Sequence, residues 1–284
     1  MDMAPYVACY RQWIAGQEAG LGELEVASAN AAAGRATDAE LRAVVERCMR
    51  GYQDYVAGRG ALSREDGTAF FAPPWCTAFE NSVLWLGGCR PSLSIRLLYS
   101  LSGEGLEAHL QELIDGRIGV NGATGLLGIT AAQLVLINDL HRRTLRQEDA
   151  LTERLATLQE DVADRPLLPI VRERERARAG CDGVAGRVAA AAGPGPGGVD
   201  AEVAAAMDSY KTGLAGLLAE ADELRMATAR ALATEILTPR QAVEMLVAAK
   251  QLHLSVRDWS RRREVGAQYP RAVAATSSAV RPNA

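Results

Sequence analysis

Residues 130–162, TAAQLVLINDLHRRTLRQEDALTERLATLQEDV, decide the fold class. Thr130 and Gln133 stand in the capping-box arrangement, in which each side chain satisfies the other's backbone N–H at a helix start. Ile137, Leu140, Leu151, Leu155, Leu158 and Val162 then follow at spacings of three, four and seven residues or their sums. A helix gathers such positions into one apolar stripe, whereas a strand scatters them over both faces. The stretch therefore predicts a long helix that buries one side in a bundle.

Working outward, the same periodicity recurs. Tyr6, Tyr10, Trp13, Ile14, Leu21 and Leu24 predict a helix over 5–27, and Leu41 to Val56 predict another over 38–57, opened by Thr37 or Asp38. Pro73-Pro74 interrupts the chain before a compact apolar helix expected from Trp75 to Leu86, which Gly87-Gly88 ends. Pro91 suits the first position of a further helix reaching about Ser102. Glycines at 116, 119, 122, 125 and 128 read as a connector loop, since neither a strand nor the lysine of a phosphate loop accompanies them. Residues 172–176, Arg-Glu-Arg-Glu-Arg, read as a solvated helix face.

Residues 179–199 end in Ala-Ala-Gly-Pro-Gly-Pro-Gly-Gly and are expected to form a flexible insert. Asp200 is placed at the start of a second long helix, and Thr238-Pro239-Arg240-Gln241 at the start of another. The expected architecture is an all-α bundle of long amphipathic helices. It forms one domain over 6–263, interrupted by the insert, and residues 264–284 make a disordered tail.

The chain of 284 residues is 48% hydrophobic, enough for a sizeable core. Its Lys+Arg count of 31 against Asp+Glu 35 gives a formal charge of -4, so no global field draws it to phosphate backbones. No apolar run approaches the roughly 18–20 residues of a membrane span, and the first residues lack a leader pattern, so nucleus and cytosol are the expected locations. Cys9, Cys48, Cys76, Cys89 and Cys181 are widely spaced and predict reduced thiols.

Little in the sequence points to chemistry. His109, His141 and His253 are the only histidines, and no paired metal-ligand motif, nucleophile elbow, P-loop or kinase signature occurs. The expectation is a non-enzyme without a metal centre.

Three segments carry a family resemblance: PPWCTAFE at 73–80, WLGGCRPS at 85–92, and LTPRQA at 237–242 leading to KQLHLS at 250–255. Together they resemble the plant Delay of Germination family, whose domain is shared with the C-terminal region of TGA-class bZIP transcription factors. The match spans about residues 6–263. On the residues themselves, Trp75, Phe79 and Trp85 are expected to anchor a core from one helix, while Gly87 and Gly88 permit a reversal stiffened by Pro91. For Arg90 two roles stay open, a clamp on helix carbonyls or a contact to a partner carboxylate.

The resemblance implies regulation of seed dormancy in the abscisic acid pathway by binding type 2C protein phosphatases, with possible self-association. The family's N-terminal Asp-Ser-Tyr-x-x-Trp element corresponds here to Ala8-Cys9-Tyr10-Arg11-Gln12-Trp13, which keeps the aromatic pair and lacks the Asp and Ser. Tyr10 and Trp13 are therefore either partner contacts or core residues. Some members bind haem through His-Leu-Ser-Met-His; residues 253–257 read His-Leu-Ser-Val-Arg. His253 is a haem-ligand candidate on that basis, with Arg257 a candidate for a propionate. The TGA likeness implies a transcription-associated alternative, although no basic region precedes the domain and direct DNA contact is not expected.

Overall fold

The computed structural model describes residues 2–102, 128–164, 168, 171–172, 175 and 196–277, with side chains at 196–202 and 265–277 outside the description. Among the described residues the fold is all-α, and the sole β-type pairing is an isolated bridge between Trp85 and Gly88. The helices are α1 (Ala4–Ala32), α2 (Asp38–Asp66), α3 (Thr68–Phe71), α4 (Ala78–Ser82), α5 (92–102), α6 (Ala131–Val162), α7 (Pro196–Arg230) and α8 (Pro239–Ser277). A π-helical stretch, Ala231–Ile236, joins α7 to the turn before α8.

Capping boxes set the starts. Thr37 with Glu40 opens α2, Thr77 with Glu80 opens α4, and Thr130 with Gln133 opens α6. Before α8, the Thr238 amide donates to Gln241 Oε1 at 2.9 Å and the Gln241 amide donates to Thr238 Oγ1 at 3.4 Å. Each box satisfies amides that a helix N-terminus leaves open.

Several expectations need correction. The segment Trp75–Leu86 is not one helix: only Ala78–Ser82 is α-helical, and a tight turn follows. Trp75, Phe79 and Trp85 consequently do not share a helix. Phe79 is not a core anchor either, being 44% exposed. Helix α2 extends well beyond residue 57 to Asp66, because its last turns bury Arg59 and Ser63. Helix α7 begins at Pro196, ahead of Asp200, and α8 continues past Arg263 to Ser277. The loop expected at 116–128 lies outside the described residues except for Gly128. So do most of the charged run at 172–176, the insert as far as 195, and residues 278–284.

Helices α1 and α8 pack antiparallel, with Gln17 bonded to Lys250 and Tyr10 to Arg257, so that one numbering rises as the other falls. Helix α2 packs on α1, α7 and α8, and α6 packs on α7. The interior divides into two apolar clusters. One gathers Leu24, Val45, Met49, Ile95, Leu98, Ile137, Leu232 and Val243. The other gathers Tyr6, Phe70, Trp85, Leu86, Leu151, Leu214, Leu218 and Ala221.

Buried polar residues fall between the clusters on the elements that cross both. On α6 they are Thr144 and Glu148, between Leu140 and Leu151; on α7 they are Arg225 and Thr228, between Leu224 and Leu232. Ser92 lies likewise between Leu86 and Ile95. A polar layer of this kind is stable only when its members are hydrogen-bonded, and it fixes the register of the helices that supply it.

Candidate functional site

The Trp85 turn is the most elaborate piece of the polar layer. The Trp85 amide donates to the Gly88 carbonyl at 2.7 Å and the Gly88 amide returns a bond to the Trp85 carbonyl at 3.1 Å. The two central residues, Leu86 at φ 45 and Gly87 at φ 67, both occupy the left-handed region, as a type I′ turn requires. A Cβ on Gly87 would lie 2.6 Å from the Phe70 carbonyl oxygen, so the position is restricted by space as well as by φ.

Two buried arginines take up the turn's carbonyls. Arg59 Nη1 donates to Gly87 O at 2.9 Å. Arg225 donates through Nε to Cys89 O at 2.7 Å, and through Nη2 to the carbonyls of Leu86, at 3.1 Å, and Trp85. Asp222 balances both cations, 2.7 Å from Arg225 Nη1 and 3.3 Å from Arg59 Nε. Two guanidinium groups thus share one carboxylate and a ring of backbone oxygens, which is how a protein can hold them dry.

Two cations lie against the Trp85 ring. Arg225 and Arg90 face its ring at 5.4 and 5.6 Å, and its indole N–H donates to Thr152 Oγ1 at 2.9 Å. Arg90 also lies 3.6 Å from Glu148, so the arginine offered as a partner contact is committed within the chain, though its side chain remains 42% exposed. Pro91 is fully buried and leads into α5, as expected.

Tyr10 belongs to the core, with 8% exposure. Its ring lies 5.9 Å from Trp75 and 4.8 Å from the Arg257 guanidinium, which also hydrogen-bonds its hydroxyl. The Cys76 thiol is 3.8 Å from the same oxygen. Burial pushes the Tyr10 hydroxyl far above its ordinary range, with Arg257 opposing. Trp13 is half-buried and stacks on Tyr55 at 4.4 Å, with Tyr52 at 5.6 Å. The two aromatics of the N-terminal element thus serve different sites, Tyr10 a closed cluster and Trp13 the wall of a cleft.

Arg257 is engaged by Tyr10 and lies 3.4 Å from Glu80, whose other oxygen accepts the Thr77 amide at 2.7 Å. His253 is exposed by area yet crowded on its protein side. That desolvation, and next the Arg257 charge, lower its pKa. The cleft at its edge measures about 180 Å³, below the roughly 300–1,000 Å³ typical of cofactor pockets. With one imidazole, a committed Arg257 and so small a cleft, these residues do not fit haem.

Six residues beyond His253, on the α4 side, apolar surface faces outward. Phe79 meets Trp259 edge-on at 5.2 Å, and Trp259 is 45% exposed with the Arg263 guanidinium 5.3 Å from its ring. Leu252 and Val256 precede Trp259 on one face of α8 at spacings of four and three. Sequence reading missed this pair because Trp259 stands in a polar stretch and Phe79 was assigned inward.

Among the described residues no group of three or more His, Cys, Asp or Glu side chains could hold a metal ion. Cys9, Cys48, Cys76 and Cys89 are free thiols. No described helix is long and apolar enough to cross a membrane.

Among the described residues the chain is thus an all-helical body in which α1 packs on α8 and the turn at Trp85–Gly88 is clasped from within. The chain belongs to the DOG1 family. The family model described as "Seed dormancy control" matches residues 21–100. The chain is 36% identical to Protein DOG1-like 3 of Arabidopsis thaliana over 259 residues, covering 90% of this chain and 84% of that protein. It is 28% identical to the Arabidopsis thaliana protein RESPONSE TO ABA AND SALT 1 over 75% of each chain. It is also 30% identical to the transcription factor TGA2.1 of Oryza sativa subsp. japonica, over 55% of this chain and 38% of that factor. The description of the matching family model ties the family to the control of seed dormancy.

Proposed function

We infer that the chain is a non-enzymatic regulator of seed dormancy and abscisic acid signalling that acts by binding proteins, type 2C protein phosphatases first among them, in the nucleus and cytosol. The observation that carries this reading is the outward aromatic pair Phe79–Trp259 with Arg263 beside it. A half-exposed tryptophan with a neighbouring arginine has the composition of an interface hot spot, and a chain that keeps such a group outside its core has a surface suited to association. Family membership supports the biological setting. The burial of Tyr10 supports looking for the contact on α4 and α8 rather than at that residue.

The test is a pull-down of purified type 2C phosphatases by the full chain, its Phe79→Ala/Trp259→Ala double variant and Trp13→Ala. Capture by wild type and Trp13→Ala, with at least a tenfold loss in the double variant, supports the reading. No capture by wild type ends the phosphatase assignment, and equal capture by all three ends the assignment of the surface. The likeness to TGA2.1 supports a second reading, a transcription-associated role, for which a gel shift with plain duplex DNA at moderate salt is the direct assay.

A further inference from the structure

A second feature lies where Lys250 of α8 reaches the cleft between α1 and α2, and it shares no lining residue with the Phe79–Trp259 pair. Lys250 of α8 is 8% exposed, and its ammonium makes one hydrogen bond, 2.9 Å to Gln17 Oε1. No carboxylate of the described residues lies within ion-pair distance of it. An ammonium carries three donors and a full charge, and burial without a counter-ion is costly. Desolvation lowers the Lys250 pKa accordingly, with the nearby Cys48 as the opposing influence. Gln17 is itself 9% exposed, and because its oxygen serves Lys250, its amide N–H groups are left with no protein acceptor among the described residues.

These donors line a cleft of about 580 Å³ between α1 and α2, within the size range of small-molecule sites. Its wall includes Trp13, already stacked on Tyr55, so an aromatic surface and a cationic floor face the same space. Glycine makes the geometry possible: a Cβ on Gly20 would lie 3.2 Å from the Lys250 nitrogen, and Gly16 opens onto the cleft with nothing within 4 Å of such an atom. The acidic groups at the rim do not compete for the lysine, since Glu23 is paired with Arg47 at 3.1 Å and Asp54 is exposed.

We propose that this cleft binds a small aromatic carboxylate, with one carboxylate oxygen on Lys250 Nζ, the other on the Gln17 amide, and the ring against Trp13. The buried cation lacks a counter-ion in the protein because the ligand supplies it. A neutral ligand of the same shape leaves the ammonium uncompensated and binds more weakly.

Calorimetric titration of the full chain with cinnamate and with its neutral analogue cinnamamide tests this. Cinnamate should bind, cinnamamide about tenfold or more weakly, and Lys250→Met should erase the difference between them. Lys250→Met replaces a buried charge by an apolar chain of similar length, and its circular dichroism reports whether it folds. Gly16→Leu provides an independent arm, because it fills the cleft from a position that touches nothing and raises helix propensity. It should fold and lose cinnamate binding. The proposal is overturned if wild type does not bind cinnamate, if cinnamate and cinnamamide bind equally, or if folded Lys250→Met or Gly16→Leu binds cinnamate like wild type.

Discussion

Glu148, with no exposed surface, holds Ser92 at both ends: its Oε1 accepts the Ser92 amide at 2.7 Å and its Oε2 the Ser92 hydroxyl at 3.0 Å. A side chain of α6 thereby caps α5, at the level where the two apolar clusters meet. Glu148→Ala leaves two buried donors and Arg90 without their acceptor and should cost about 3 kcal/mol. Arg90→Ala leaves the two Ser92 bonds to Glu148 in place and opens a path for water to that carboxylate, so it should cost less than Glu148→Ala. Urea unfolding of both variants checks the ranking, and an equal loss would contradict it.

Gly87→Ala should be among the most damaging single methyl additions in the chain. The new Cβ would meet the Phe70 carbonyl at 2.6 Å and Arg59 Nη2 at 2.7 Å, at a φ of 67 that disfavours a side chain. The loss should reach about 3 kcal/mol or more. Gly16→Ala serves as the contrast, since its Cβ meets nothing and should stabilise by up to about 1 kcal/mol. Thermal melts of the two variants should move in opposite directions.

Burial pushes the Tyr55 hydroxyl from 10.0 up to about 12, with Arg59 only partly offsetting it. The folded chain keeps this phenol neutral while the unfolded chain begins to ionise near pH 10. The stability linked to it is therefore complete below pH 10 and lost as pH rises towards 12. Tyr55→Phe should flatten the decline in unfolding free energy across that window and leave its slope below pH 10 unchanged. Tyr10 and Tyr52, raised by burial in the same direction, should preserve part of the decline in the variant.

Haemin titrated into wild type and His253→Ala should give matching spectra. Arg257 is held by Tyr10 and Glu80, and the cleft beside His253 is small. A Soret band present in wild type and absent in His253→Ala would refute this reading of the site.

What was legible in the sequence was local. Thr37, Thr130 and Thr238 stand three residues before Glu40, Gln133 and Gln241, and each pair carries its own hydrogen bonds, so three helix starts were read where they lie. Thr77 and Glu80 form the same pattern, and it would have placed α4 at Ala78 had the apolar run from Trp75 not suggested a longer helix. That run does not continue as a helix because Leu86 and Gly87 turn left-handed, and the arginines that hold the turn lie 28 residues before Gly87 and 136 beyond Cys89. No local pattern reveals such partners. Nothing in the sequence marks Glu148, Asp222 and Arg225 as buried, since charge alone does not distinguish a surface residue from one inside a paired layer. Lys250 escaped notice for the same reason: its missing counter-ion becomes visible only when α1 is laid against α8.

That laying of the first helix against the last has a consequence for synthesis. Tyr10 and Gln17 leave the ribosome long before Arg257 and Lys250, their antiparallel partners, exist. Until then one flank of α1 is uncovered, and Glu80, which both caps α4 and meets Arg257, has only its local role. The native body can close only once residues 250–257 have been made, so a nascent chain stalled before residue 250 should display the aromatics of α1 to chaperones, and the final docking should pair α1 with α8 in one step.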